Sequence, residues 1–328
     1  MRQIVFLFPI VLLLLSCEGK KESKALPKDL DSLIVMFPDS VELLVKRGNK
    51  MLNTYKYDKA MADGAKAFRL DSTDLEARML YAEVLNNRPE RTMDEVMIAQ
   101  RHYKVIIRKA PKNTRALVGI ASTFSQIQDF ETSFQYINQA LRIDPRYRNA
   151  YVLKGSNYLK IGKIDLAKSS YETAVQQDPD FYEAYIMLGA LYEGEKNPIC
   201  LEYYTTASKL RPNDPDVLYP LAYAKHKFGQ TEEAVGLYRK MIQIDTTYAE
   251  ALFQIGHIKQ FTIGDLDSAI YYYNSAIITE PRFVEAWHNM GLCYEDKGDK
   301  TKALQSYAKA LKYDPDFELS RKQADALR

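Results

Sequence analysis

Few residues in this chain could do covalent or metal chemistry. Its 328 residues include three cysteines, Cys17, Cys200 and Cys293, and four histidines. The histidines show no HxxxH or HxH spacing, and the sequence has no CxxC, GxSxG, HExxH or GxxxxGK[ST] motif. We therefore predict a protein that is not an enzyme and has no metal site or cofactor. Cys200 and Cys293 occupy small or apolar helical positions, which predicts two buried free thiols.

Cys17 stands at the end of an N-terminal apolar run. Arg2 is followed by twelve apolar residues, Ile4 to Leu15, and Ser16 separates that run from Cys17. A helix of twelve residues is too short to span a bilayer, which takes about 20 residues. The run instead suits the hydrophobic region of a secretory signal. The segment LLSC that ends at Cys17 resembles a bacterial lipobox, in which the cysteine is acylated and becomes the first mature residue.

That resemblance implies the organisation of the first 28 residues. Residues 1–16 would be a signal peptide, and residues 17–28 a flexible, charged tether that follows the lipid on Cys17. The expected location is the bacterial cell envelope, at the outer membrane, with the periplasmic or surface face left open. The alternative is a generic signal peptide followed by a chance cysteine.

Composition limits the classes of partner. Lys and Arg total 45 against 43 Asp and Glu, a net charge of +2. Binding to nucleic acid needs a basic surplus that this balance does not provide. The apolar share of 46% is ordinary for a folded protein.

The rest of the chain repeats a unit of about 34 residues. A proline or small polar residue closes successive units at Pro38, Ser72, Pro111, Pro145, Pro179, Pro212, Thr246, Pro281 and Pro315. A small residue recurs in the first half of each unit, at Gly48, Ala82, Ala121, Gly155, Gly189, Ala222, Gly256 and Gly291. In the second half, a small residue is followed four residues later, in most units, by tyrosine, as in Ala303 and Tyr307. These spacings place the recurring residues on one face of a helix.

The period and these residues resemble the tetratricopeptide repeat (TPR) family. The resemblance implies an all-α helix-turn-helix solenoid, a right-handed superhelix of about eight repeats over residues 41–317. Residues 29–40 and 318–328 would be N- and C-terminal capping helices, because the ends of a solenoid need a cover. Two departures stand out: repeat two carries about five extra residues near Asn86–Met93, and repeat seven gains one near Thr262–Asp265.

In this family the first helices of successive repeats line a concave groove that holds peptides. In repeats six to eight, the positions left over from packing carry aromatic, histidine and leucine side chains. These candidate partner-binding residues are Tyr219, Tyr223, His226, Phe253, His257, His288 and Leu292. The three histidines, His226, His257 and His288, would make binding sensitive to pH near 6.5, the ordinary pKa of histidine. The alternative is that they pack against one another or against the next repeat.

A second candidate surface is basic. Residues 96–128 contain no acidic residue. The basic patch consists of Arg101, Lys104, Arg108, Lys109, Lys112 and Arg115. It would suit anionic lipid headgroups or an acidic partner. The alternative is a solvated outer face.

These observations predict a lipid-anchored scaffold or adaptor that binds a protein or peptide partner in the groove, and the membrane through Cys17. A glycan-binding surface lipoprotein is the rival, because aromatic rings also stack on sugars. The oligomeric state stays open.

The lipobox gives the first testable prediction. Cys17→Ser removes the only thiol that the signal could acylate, so the variant should be unlipidated and should leave the membrane fraction. Fractionation with metabolic labelling by a fatty acid checks this. A variant that still fractionates as an acylated species would show that the anchor lies elsewhere.

Overall fold

The computed structural model describes residues 29–328. The signal peptide predicted for residues 1–16, Cys17 and the tether predicted for residues 17–28 lie outside the described residues. The chain divides into two compact units between His102 and Tyr103. Every regular element in residues 29–328 is helical, which confirms the all-α class.

The first unit contains the helices that precede His102. These are α1 (Leu30–Met36), α2 (Val41–Leu52), α3 (Tyr57–Leu70), α4 (Leu75–Asn87) and the first part of α5 (Met93–Lys109). Helix α2 packs against α1, α3 and α4. The extra residues near Asn86–Met93 form the connection from α4 to α5.

An arginine ties three helices of the first unit together. The Nε and Nη2 atoms of Arg47 donate to the two carboxylate oxygens of Asp63 at 2.8 and 2.7 Å, and Nη1 donates to Asp31 at 2.8 Å. Asp63 is buried on α3, where an unpaired charge would be costly. The hydrogen bonds to Asp63 raise the pKa of Arg47 above its ordinary value, so the link from α1 to α2 and α3 stays charged.

The second unit contains the end of α5 and a run of paired helices. They are α6 (Thr114–Gln126), α7 (Phe130–Ile143), α8 (Arg148–Lys160), α9 (Ile164–Gln177), α10 (Tyr182–Gly194), α11 (Cys200–Leu210), α12 (Pro215–Lys227), α13 (Thr231–Ile244), α14 (Ala249–His257), α15 (Leu266–Thr279), α16 (Val284–Asp296), α17 (Lys300–Tyr313) and α18 (Glu318–Ala326). From α6 onwards each helix packs against the next. Such consecutive pairing is typical of the predicted solenoid.

The turns between pairs share one local hydrogen bond. Where the second helix ends, an aspartate accepts from the backbone amide two residues later, which forms an Asx turn. The pairs are Asp144 with Arg146, Asp178 with Asp180, Asp245 with Thr247 and Asp314 with Asp316. The recurring Asp-Pro or Asp-Thr dipeptide therefore ends one pair and starts the next in the same way.

Glycine and tyrosine meet at the centre of several pairs. A methyl group added at Gly189 would lie 2.5 Å from Cε1 of Tyr204, and one added at Gly291 would lie 2.5 Å from Cε1 of Tyr307. Both tyrosine rings are buried. The first helix therefore needs glycine where the ring of the second helix packs on its backbone.

The single extra residue of repeat seven is absorbed inside a helix. Helix α14 continues into a π-helical turn, Ile258–Ile263, which ends at Gly264 with φ of 79°. One inserted residue widens a helical turn in this way without moving the helices on either side. The π-helical turn overlaps the segment Thr262–Asp265, near which the spacing predicts the extra residue.

A pair of glycine substitutions tests this packing. Gly189→Ala should lower the free energy of unfolding by about 1–3 kcal/mol, because the methyl group overpacks the buried ring of Tyr204. Gly236→Ala, on α13, should raise it by about 0.5–1 kcal/mol, because no atom lies within 4 Å of the added methyl group. Denaturant unfolding measures both. Equal effects of the two substitutions would contradict the glycine–tyrosine contact.

Candidate functional site

Helices α12 and α14 position most of the predicted partner-binding residues. The carboxylate of Asp214 accepts from the amide of Asp216, and Pro215 occupies the first helical position, where no amide donor is needed. Leu218 and Ala222 of α12 are buried against α13 and α14. The predicted residues of α12 are Tyr219, Tyr223 and His226, at helical spacings of four and three, and Tyr219 packs against the same buried cluster.

Tyr219 is a packing residue more than a surface residue. Its hydroxyl donates to Glu250 at 2.8 Å and accepts from the side-chain amide of Gln254 at 2.9 Å. Its ring packs edge-on against Tyr238, with ring centroids 5.8 Å apart. Burial and the bond to Glu250 raise the pKa of Tyr219, so it stays neutral. It joins α12 to α14 beneath the surface.

Two histidines meet above this contact. The ring centroids of His226 and His257 lie 6.5 Å apart, and the Nε2 atom of His226 lies 3.1 Å from the Thr262 hydroxyl. His257 is also 4.7 Å, centroid to centroid, from Phe261 in the π-helical turn. Tyr223, one turn before His226 on α12, is exposed, and the Lys227 ammonium lies 5.9 Å from its ring centre.

These residues form the surface that we call the α12–α14 face: Tyr223, His226, His257, Phe261 and Thr262. The structure thus brings together three of the predicted residues and adds two that the sequence analysis missed. Phe261 is 57% exposed, unusually open for phenylalanine. The sequence feature that could have indicated Phe261 is the single extra residue of repeat seven. That residue forms the π-helical turn in which Phe261 lies, and such turns are frequent at functional sites.

Phe253 supports the face from below. Its ring lies 4.8 Å from Phe283, 5.6 Å from Tyr273 and 6.3 Å from His257, measured between centroids. It is half-buried in the cluster around α15 and α16. Phe253 therefore belongs to the core of this region, as the packing alternative expected.

The prediction that His288 and Leu292 share the open face is wrong. His288 is only 8% exposed, its Nδ1 atom lies 3.0 Å from the Ser320 hydroxyl, and its ring packs edge-on against Phe317. Leu292 packs with Ala303, Tyr307 and Ala324. Helix α18 and the residue before it cover both side chains, so the last pair offers neither to a partner.

All three of these histidines are held neutral. Burial lowers the pKa of His226, and it lowers the pKa of His257, to which a charge on His226 adds repulsion. The Nδ1 atom of His257 is buried without a hydrogen-bond partner among the described residues. Burial also lowers the pKa of His288. Their titration therefore falls below the value of 6.5 expected from the sequence.

The basic patch lies on α5, the turn after it and the start of α6. Lys104, Arg108, Lys109 and Lys112 are exposed, and none of the four forms an ion pair within residues 29–328. Arg101 is exposed one turn earlier on α5, and Arg115 is half-buried on α6. The patch is exposed to solvent, as both the predicted anion-binding surface and its alternative require.

The remaining chemistry-bearing residues are structural. Cys200 and Cys293 are free and fully buried, as predicted. Burial raises the pKa of Cys293 to about 12, which makes this thiol a poor nucleophile. No cluster of three or more metal-ligating side chains occurs among residues 29–328. Over the same residues, no helix has the length and apolarity needed to cross a bilayer.

Comparisons with known proteins agree with this architecture. Residues 114–147, 149–181 and 284–317 match family models of the tetratricopeptide repeat. These segments correspond to the pairs α6–α7, α8–α9 and α16–α17. These three segments are therefore tetratricopeptide repeats, and the consecutive packing of the helix pairs is typical of a TPR solenoid.

Individual relatives are distant. The chain is 24% identical to Hsp70-Hsp90 organizing protein 1 of Glycine max over 287 residues, 83% of this chain and 48% of the relative. It is 22% identical to Protein O-mannosyl-transferase TMTC3 of Homo sapiens over 284 residues, 82% of this chain and 31% of the relative. The chain thus spans less than half the length of these relatives.

A solved structure shows the same fold. The crystal structure of the APC/C hetero-tetramer Cut9-Hcn1 aligns with a TM-score of 0.60 over 90% of this chain and 57% of that chain, at 16% identity. At this identity the likeness concerns the fold alone.

The histidine pair predicts how stability responds to acid. In the unfolded chain His226 and His257 take up protons near pH 6.5, whereas the folded face resists protonation, so stability is lost as pH falls below about 6.5. A His226→Gln/His257→Gln variant should lose less stability than the wild type between about pH 7.5 and pH 5. Denaturant midpoints at both pH values measure the difference. The same pH dependence in both proteins would contradict a half-buried pair that resists protonation.

Proposed function

We propose that this protein is a non-catalytic scaffold that binds a protein or peptide partner and is anchored by lipid on Cys17 in the bacterial cell envelope, at the outer membrane. Tetratricopeptide repeats and the relatives that contain them support the scaffold part of the proposal. The anchor and the location rest on the sequence around Cys17. The non-catalytic role rests on the buried thiols and on the missing motifs, since one relative is named as a transferase.

The α12–α14 face is the observation that carries the partner site. Tyr223 is 41% exposed and Phe261 57% exposed, and exposed apolar surface of this kind marks interaction sites. His257 lies against Phe261, and His226, one helical turn after Tyr223, lies against His257. The face therefore suits an apolar side chain of a partner, bordered by imidazole hydrogen-bonding groups.

The firmness of the underlying packing favours binding without rearrangement. Tyr219 joins α12 to Glu250 and Gln254 on α14, and Phe253 fills the space beneath His257. A preformed face loses little conformational entropy when a partner docks. No separate feature of residues 29–328 favours the glycan-binding alternative, so the protein partner is the function we retain.

Two exposed aromatics give the test of this site. Tyr223→Ala/Phe261→Ala should weaken partner binding by about 2 kcal/mol, or roughly 30-fold, because such rings are typical hot-spot residues. Partners would first be identified by photo-crosslinking from positions 223 and 261, and affinities then measured with the purified partner. Circular dichroism confirms that the variant keeps its helical content.

Tyr271→Ala provides the matched control. Tyr271 is exposed on α15, outside the α12–α14 face, so its removal deletes an aromatic ring without touching the site. Unchanged affinity after the double substitution, or an equal loss after Tyr271→Ala, would contradict the α12–α14 face as the partner site. The basic patch around Lys104 and Arg108 would then be the candidate.

A further inference from the structure

The N-terminal helix exposes three consecutive apolar side chains. Val35 is 82% exposed, Met36 52% and Phe37 48%. We call these three residues the α1 apolar tip. A capping helix of a solenoid is expected to turn a polar face outward. Helix α18, at the other end of the chain, carries the ion pair Lys322–Glu318 on its surface.

The exposure of the tip follows from how firmly α1 is held. The neighbouring residue Ile34 is buried against Leu44, Ala67 and Ala77. Asp29 caps the helix by accepting from the amide of Ser32 at 2.8 Å. With Ile34 facing the core, Val35 and Met36 lie about 100° and 200° further around the helix, and Phe37 follows the last helical residue.

Charged groups fix both ends of this helix. Arg47 holds Asp31 in the first turn. After the last turn, the Lys66 ammonium donates to the carbonyl of Pro38 at 2.7 Å and lies 3.0 Å from the Asp39 carboxylate. These contacts hold α1 in place, so the α1 apolar tip is already ordered before a partner binds it.

The chain ahead of α1 indicates what that partner is. Eleven residues, 18–28, lie between Cys17 and Asp29. A fully extended segment of that length reaches about 40 Å, and a flexible one spans roughly 20 Å on average. If Cys17 carries lipid, as proposed above, α1 stays within this distance of the bilayer. Residues 18–28 contain four lysines and two glutamates, which adds attraction to anionic headgroups.

We propose that the α1 apolar tip is a membrane-contact site, which inserts into the headgroup region of the bilayer that holds the Cys17 lipid. The inference rests on the lipid anchor proposed above. Apolar side chains of Val, Met and Phe gain free energy on leaving water, and the anchor keeps the local lipid concentration high. The contact orients the first unit on the membrane, with α1 facing the lipid.

Fluorescence with lipid-borne quenchers tests the contact directly. Trp287 is the only tryptophan, so Phe37→Trp in a Trp287→Phe background places a single probe in the tip. Residues 17–328, which retain every described helix, are coupled through Cys17 to a maleimide lipid in phosphatidylcholine vesicles with brominated acyl chains. Cys200 and Cys293 are fully buried and should not react.

The expected result is a blue-shifted emission that the brominated chains quench and that high salt does not reverse. Val35→Asn/Met36→Asn in the same protein should reduce the quenching, because two of the three inserting side chains become polar. The control probe is Ile278→Trp in the Trp287→Phe background, exposed on α15 in the second unit, and it should stay unquenched.

Three outcomes would overturn the proposal. The first is an unquenched, solvent-exposed probe at position 37, and the second is equal quenching at positions 37 and 278. The third is a blue shift before the protein is attached to vesicles, which would mean that the tether covers the tip. Coupling to the maleimide lipid imposes the anchor chemically, so this result does not depend on acylation in cells. Fractionation of Cys17→Ser decides that question separately.

Discussion

The close approach of a glycine backbone and a buried tyrosine ring sets the geometry of several helix pairs in the second unit. At Gly155, Gly189, Gly256 and Gly291 a single methyl group would lie within 2.8 Å of a tyrosine ring atom. This contact fixes the rotation of the first helix in each pair. That rotation turns Leu252 and Ile255 of α14 inward and leaves His257 near the surface. The candidate site therefore depends on core packing that it does not touch.

Much of the fold could be predicted because its determinants are local and periodic. Small residues, tyrosines and the Asp-Pro dipeptide recur at fixed intervals. The small residues allow close helix approach, the tyrosines fill the gap between helices, and the dipeptide ends the pair. Buried free thiols at Cys200 and Cys293 follow from the same register. A repeated unit shows its pattern several times in one sequence, so an atypical residue in one repeat does not hide the pattern that the other repeats share.

The site was less predictable because the exposure of each of its side chains depends on which residues of the neighbouring helices pack against it. His288 on α16 and Phe253 on α14 occupy comparable positions in their repeats. Ser320 and Phe317 cover His288, whereas Phe283 and Tyr273 pack on Phe253. Phe261 was missed because the spacing located the extra residue of repeat seven near Thr262–Asp265 without indicating the structure that it forms. A helix can absorb one residue as a wider turn, and the spacing alone does not distinguish that turn from a longer loop.

The bracing of α1 also has a mechanical consequence. Any tension on the segment ahead of Asp29 enters the first unit through the hydrogen bond between Asp31 and Arg47 and the buried side chain of Ile34. Arg47 passes that load to Asp63 on α3 through two further hydrogen bonds, so the force is shared between helices that are distant in sequence. Because these bonds are loaded together, α1 should resist peeling until they break as a group.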